Sequence, residues 1–298
     1  MYDIALSVNA FVRSKTDATV AWMVSPNPSP VASALTPGGG RIGSLAEGVF
    51  DSALGDIANL KLSQGRLVTF HVGAFESTVS SFIEGTQVQF LAIPVQFFPA
   101  ETWPALLDRQ QVAIVCHLRD GDVTSIETFT QENISSADPK VTEVFISGRS
   151  TVEVEADRII TVLVPTTKLV VAGSGPIADA LVVMGTAMGW NVRAETRNDI
   201  VAGYVADMSP MDGVVVIGHN IEQSARSLEL ALESSAGYIG ALGSHKMQES
   251  RADWLAYRDV TDLSRVHGPA GLEIHASAPG EIAIAILGEM IAVIKSDS

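Results

Sequence analysis

This 298-residue chain has one cysteine, Cys116, so it has no internal disulfide and no cysteine-based zinc or iron–sulfur site of its own. Cys116 lies in the apolar run Val112 to Leu118, which reads as a buried strand, and there it serves as a small core residue. Basic residues are also scarce. Nineteen Lys and Arg against 34 Asp and Glu leave a net charge of −15, which argues against a nucleic-acid or anionic-membrane surface. No run reaches the roughly 18 apolar residues of a membrane span, and the nearest, Ile282 to Ile294, is broken by Gly288 and Glu289. A basic-then-apolar leader is missing at the N-terminus, so a cytoplasmic protein is expected. The scattered His71, His117, His267 and His275 show no metal-ligand spacing, and no nucleophile is paired with a base and an orienting acid; neither a metal site nor a catalytic residue is expected.

What remains is an ordinary folded composition, 47% hydrophobic and 18% charged, long enough for two cores. Pro165-Thr166-Thr167 marks the boundary. The expectation is an N-terminal mixed α/β domain over 1–164 and a C-terminal Rossmann-like domain over 165–298, a doubly wound parallel α/β sheet.

The second half is organised by Lys168 to Arg197. A short apolar strand, Lys168 to Ala172, leads into Gly173-Ser174-Gly175-Pro176-Ile177-Ala178, an amphipathic run to Gly189, and a second strand from Asn191 to Glu195. In a dinucleotide-type unit the first glycine permits the tight turn and the second lets backbone approach a phosphate. The small third residue lets helix and strand pack closely, and an acid about 20 residues on meets a ribose hydroxyl. Gly173, Gly175, Ala178 and Glu195 occupy those places. Pro176 suits the first helical position but removes one N–H from a phosphate cradle. Strands at 213–218 and 237–242 and helices at 221–234, 245–258 and 279–295 follow. Their turns add Gly218-His219-Asn220, Gly243-Ser244-His245-Lys246 and Gly268-Pro269-Ala270-Gly271, so His219, Asn220, Gly243 and Ser244 join the candidate ligand positions.

Before the boundary, helices are expected at 2–13, 47–60 and 103–109. Strands are expected at 18–24, 31–36, 41–45, 66–71 and 112–118, an apolar stretch interrupted by Pro94 lies at 88–98, and β-rich runs are expected at 141–146, 151–154 and 158–164. Loops are expected at 25–30 and 132–140.

The order Ile217-Gly218-His219-Asn220, Tyr238 to Ser244, Gly268 to Leu272 and Pro279 to Met290 resembles the XdhC/CoxI family, the accessory proteins of molybdenum hydroxylases such as xanthine dehydrogenase and carbon monoxide dehydrogenase. The resemblance implies a chaperone-like xanthine dehydrogenase accessory factor. Such a protein binds molybdenum cofactor (molybdopterin), cooperates with a sulfur-transfer partner and a molybdenum hydroxylase subunit, and is non-catalytic or weakly catalytic. The same glycine turn admits an alternative, an NAD(P)-dependent oxidoreductase, with Glu195 favouring NAD(H). In the first half, Ser29-Pro30 and Gly43-Ser44 keep the family's places. Where the family has a Gly-Ser-x-Ser-Gly-Gly-Cys-x-Glu turn, however, Val49 stands for the cysteine and Glu47 for a glycine. An isopropyl group can neither ligate molybdenum nor relay sulfur, so a divergent member is expected. The high apolar content suggests a homodimer.

Overall fold

The computed structural model describes residues 1–296 and divides the chain into two compact units, Met1–Val164 and Pro165 onward.

The first unit runs α1 (Tyr2–Ser14), β1 (Thr19–Ser25), β2 (Ala32–Leu35), β3 (Arg41–Ile42), α2 (Asp51–Asn59), β4 (Arg66–His71), α3 (Ala74–Val79) and β5 (Gln87–Pro94). It continues α4 (Thr102–Leu107), β6 (Val112–Arg119), β7 (Asp122–Phe129), α5 (Pro139–Ile146), β8 (Thr151–Val154) and β9 (Arg158–Leu163). The strands form a nine-stranded sheet in the order β3-β2-β1-β5-β4-β7-β6-β9-β8, every pairing antiparallel. Both faces of this sheet are covered. One carries Trp22, Leu91, Ile114 and Ile159 with α1 and α4; the other carries Phe50, Leu54, Phe90 and their neighbours with α2. A third apolar cluster forms beneath α5.

Three expectations fail here. The 141–146 run is not β-structure but part of α5. The Asp138 carboxylate accepts from the amides of Lys140 and Val141, and Pro139 fits the first turn. Val141, Val144 and Phe145 then fall on one buried face, a helical spacing that a short β-branched run disguised. The 41–45 strand stops at Ile42, because Gly43 adopts φ +82°, where a Cβ would lie 2.6 Å from the Ala32 carbonyl oxygen. The 47–60 helix begins only at Asp51, after a 3-10 turn in which Ala46, Glu47 and Gly48 all have positive φ.

The second unit runs β10 (Lys168–Ala172), α6 (Pro176–Ala187), β11 (Asn191–Glu195), α7 (Asn198–Val205), β12 (Gly213–Val216), α8 (Ile221–Glu233), β13 (Tyr238–Ala241), α9 (His245–Ala256), β14 (Val266–His267) and α10 (Pro279–Ser296). All five strands are parallel, in the order β11-β10-β12-β13-β14. The expected doubly wound parallel sheet is present. The sequence reading left out α7, whose Val201 and Val205 cover one face of β10 together with α8. On the opposite face α6 and α10 pack over Leu169, Val171 and Val215. Layers on both faces explain why Leu169–Ala172 and Gly213–Val216 are apolar without alternation.

The foot of the sheet is fastened by one buried acid. The Asp212 carboxylate accepts from Lys168 N at 2.7 Å, and from Ser209 N and Oγ at 2.9 and 3.0 Å. Nearby, Tyr238 Oη donates to Glu289 at 2.6 Å, and Gly271 N donates to the same oxygen at 2.8 Å. That pair ties the 268–271 turn to α10.

Candidate functional site

The strand order reverses between β10 and β12: the chain leaves β10 for β11 on one side and later returns to β12 on the other. A crevice opens at the carboxyl ends of strands at such a point, because the two following connections diverge to opposite faces of the sheet. A cleft of about 240 Å³ lies there. Its walls are the turns after the two strands, Ala172-Gly173-Ser174 and Ile217-Gly218-His219-Asn220, with Thr196 and the first turns of α8 (Gln223, Ser224, Ser227).

Gly173 makes the close approach possible. Its φ is +151°, and a Cβ there would lie 2.0 Å from the Ile217 carbonyl oxygen. The Gly173 amide donates to Glu195 O and the Ile217 amide to Ala172 O, both at 2.8 Å, so three strand ends are sewn together. Gly175 differs. It caps α6 with φ +107°, and nothing lies within 4 Å of where its Cβ would stand. The main chain is therefore approachable at Gly175, and the Ser174 and Gly175 amides donate to no group among the described residues. Pro176 is the first residue of α6, and Ala178, 1% exposed, packs in the core beneath it.

Glu195 ends β11. One carboxylate oxygen accepts from Arg197 N and Thr196 N, at 2.9 and 2.7 Å, and these bonds hold its pKa below the ordinary glutamate value. Asn220 caps α8, its side-chain oxygen accepting from Gln223 N at 2.9 Å. His219 is exposed beside it. Gly243, at φ +133°, and the exposed Ser244 lead into α9. Of the positions named from sequence, Gly173, His219 and Asn220 line the cleft. Glu195 adjoins it through Thr196; Gly175 and Pro176 continue the Gly173 turn; Ala178 is core; Gly243 and Ser244 belong to a separate turn.

The sequence reading missed the polar side of α8. Gln223 Nε2 donates to Thr196 O, Ser227 Oγ donates to Asn198 Oδ1 at 2.9 Å, and Asn198 Nδ2 donates to Gln223 O at 3.1 Å. Positions 223, 224 and 227 share one helix face. That spacing was visible, but it pointed inward only once α7 was known to exist. The cleft lining contains no lysine, arginine, aspartate or glutamate. Its chemistry is that of amides, hydroxyls and carboxamides, with the N-termini of α6 and α8 beside it. Such a set hydrogen-bonds an anion or a polar ring.

Cys116 is fully buried in β6, and desolvation pushes its thiol pKa far up. No group of His, Cys, Asp and Glu among the described residues could hold a metal ion, and none of the described helices is long and apolar enough to cross a membrane.

No curated protein matches the chain. A solved xanthine dehydrogenase structure from Bacillus halodurans aligns with 100% of this chain and 97% of that one, at 18% identity and a TM-score of 0.45. The XdhC Rossmann domain model matches residues 169–290, which begin in β10 and end in α10 and so enclose the whole switch-point cleft. The family resemblance read from the glycine turns is thus borne out over this stretch, and the second unit of the chain is similar to an XdhC Rossmann domain.

Proposed function

We propose that this protein is an accessory factor of a xanthine dehydrogenase-type molybdenum hydroxylase, and that its switch-point cleft holds molybdenum cofactor or another phosphorylated ligand. The observation that carries the reading is the cleft's place within an XdhC Rossmann domain, between the turns after β10 and β12. The donors present fit a phosphate and the polar edge of a heterocycle. The free amides of Ser174 and Gly175, with the Gly218 and Ser224 wall, would meet the phosphate, and Thr196, Asn220 and Gln223 would meet ring or hydroxyl groups. At about 240 Å³ the cleft falls below the roughly 300–1,000 Å³ of whole-ligand pockets, so it takes one end of such a molecule. With no thiol in the cleft lining and no metal-ligating cluster among the described residues, the cleft would grip the organic part of the cofactor, whose molybdenum centre would supply the client's redox chemistry.

The test is equilibrium binding of purified protein to molybdenum cofactor, with Gly175→Trp as the blocked control. Wild-type binding that Gly175→Trp abolishes supports the site; equal binding by both proteins removes it. The alternative reading, an NAD(P)-dependent oxidoreductase, is favoured by Glu195 at the end of β11. It predicts that NADH raises the melting temperature and that the cofactor does not. The proposal includes a homodimer, consistent with Val183 and Ile284 being 68% and 56% exposed, and light scattering showing a monomer would remove that part.

A further inference from the structure

Arg251, in the second half of α9, is 1% exposed, yet no carboxylate among the described residues pairs with it. Its Nε donates to Ser224 Oγ at 2.9 Å and its Nη2 to Gly218 O at 2.9 Å. Its Nη1 donates to Leu242 O at 2.8 Å and to Gln248 Oε1 at 3.1 Å. A guanidinium in a dry interior is costly unless its charge is balanced, and neutral acceptors satisfy its hydrogen bonds without balancing that charge. Two of the four acceptors, Gly218 and Ser224, are themselves walls of the switch-point cleft. The guanidinium therefore lies directly behind one side of a cleft whose own lining carries no formal cation. At the other side, Thr196 N is bonded to the Glu195 carboxylate. The cleft is thus electrically polar, positive behind the β12–α8 wall and negative behind the β11 wall.

We infer that Arg251 is the counter-ion for the anionic end of the cleft's ligand, a positioning residue that places the phosphate toward Gly218 and Ser224. The ligand's hydroxyl- or amine-bearing end then lies toward Thr196 and Glu195. The inference rests on the cleft being a phosphate-ligand site and adds to that reading the orientation of the ligand and the group that fixes it. A ligand with a hydrogen-bond donor near its phosphate-free end is selected, and a second anion at that end is rejected by Glu195.

The experiment compares wild type, Arg251→Lys, Arg251→Met and Arg258→Gln for binding of inorganic pyrophosphate and of molybdenum cofactor, by calorimetry at two salt concentrations. Arg258, which pairs with Glu229 away from the cleft, controls for an equal change in net charge. Expected are a loss of at least about tenfold in pyrophosphate affinity for Arg251→Met, partial retention in Arg251→Lys, and no change in Arg258→Gln. The salt dependence of binding should flatten in Arg251→Met alone. A folded Arg251→Met that binds pyrophosphate as well as wild type overturns the inference and leaves the cleft assignment standing. Should Arg251→Met not fold, Arg251→Lys decides: a folded lysine variant that keeps measurable pyrophosphate affinity with the salt dependence of wild type supports a charge role, and one that binds no pyrophosphate overturns it. Wild type binding neither probe overturns both.

Discussion

Replacing Gly173 by alanine tests the claim that the cleft exists because two strand ends touch. The new Cβ would lie 2.0 Å from Ile217 O and 2.8 Å from Ile217 Cβ. The ends of β10 and β12 must part by about 1 Å before even a tight contact is reached. That movement stretches the Ile217 N to Ala172 O bond, now 2.8 Å, beyond the normal range. Losing a buried backbone bond costs about 1–3 kcal/mol, and holding alanine at this positive φ adds about 1–3 kcal/mol. The sum is about 2–6 kcal/mol. Gly175→Ala serves as the internal reference, since its φ is +107° but its Cβ meets nothing within 4 Å. It bears only the conformational cost, about 1–3 kcal/mol. Native-state hydrogen exchange at Val171, Ala172, Val215 and Val216 reads the difference locally, at about 1.4 kcal/mol per tenfold change in protection. Gly173→Ala should lower protection there by about one and a half to four orders of magnitude. If Gly173→Ala proves no more damaging than Gly175→Ala, the close approach does not shape the turn.

Two further outcomes follow from titratable groups in the first unit. The hydrogen bond from Arg158, followed by the α5 amides, holds the Asp138 carboxyl below its ordinary value, so the folded state favours its ionised form. Its contribution is therefore fully present above the unfolded value near 3.9 and is lost as pH falls through the lower folded one. Asp138→Ala should cost about 1 kcal/mol at pH 7 as a lost helix cap and should reduce the fall in urea midpoint between pH 5 and pH 2.5; an unchanged acid profile would count against the cap. Cys116, with its thiol pKa raised by burial, should resist iodoacetamide in the native protein at pH 8 and react after denaturation. Labelling of the native protein, read by mass spectrometry, would contradict its buried placement.

Most of the second unit was legible because its signals are local. Glycine at Gly173 and Gly175, apolar runs at 169–172 and 213–216, and an acid closing β11 each reflect a constraint that neighbouring residues impose. What escaped the reading depends on contacts far apart in sequence. The Ser224, Gln223 and Ser227 side chains look like the solvent face of an amphipathic helix until α7 and the Thr196 turn are placed against them. Arg251 looks like one charge among several in Lys246–Arg258, and only the convergence of Gly218, Leu242 and Ser224 upon it reveals a buried cation. In the first unit, α5 was hidden by β-branched residues whose helical fate was decided by a capping aspartate just outside the run.

The turn after β3 shows how far the resemblance reaches into the first unit. Ala46, Glu47 and Gly48 have φ of 45°, 56° and 84°, a left-handed succession that glycine adopts freely and that costs other residues about 1–2 kcal/mol each. The resemblance has glycine where Glu47 stands, so this chain holds at some cost a backbone shape that glycine would take without strain. Val49 packs its isopropyl group against the Phe50–Leu54 cluster, and the exposed Glu47 puts a carboxylate on the turn. Neither can carry sulfur, and the chain's one thiol is sealed within β6. A sulfur-transfer step would therefore need a thiol from a partner. What this chain itself can offer a phosphorylated ligand is concentrated between β10, β12 and the buried guanidinium of Arg251.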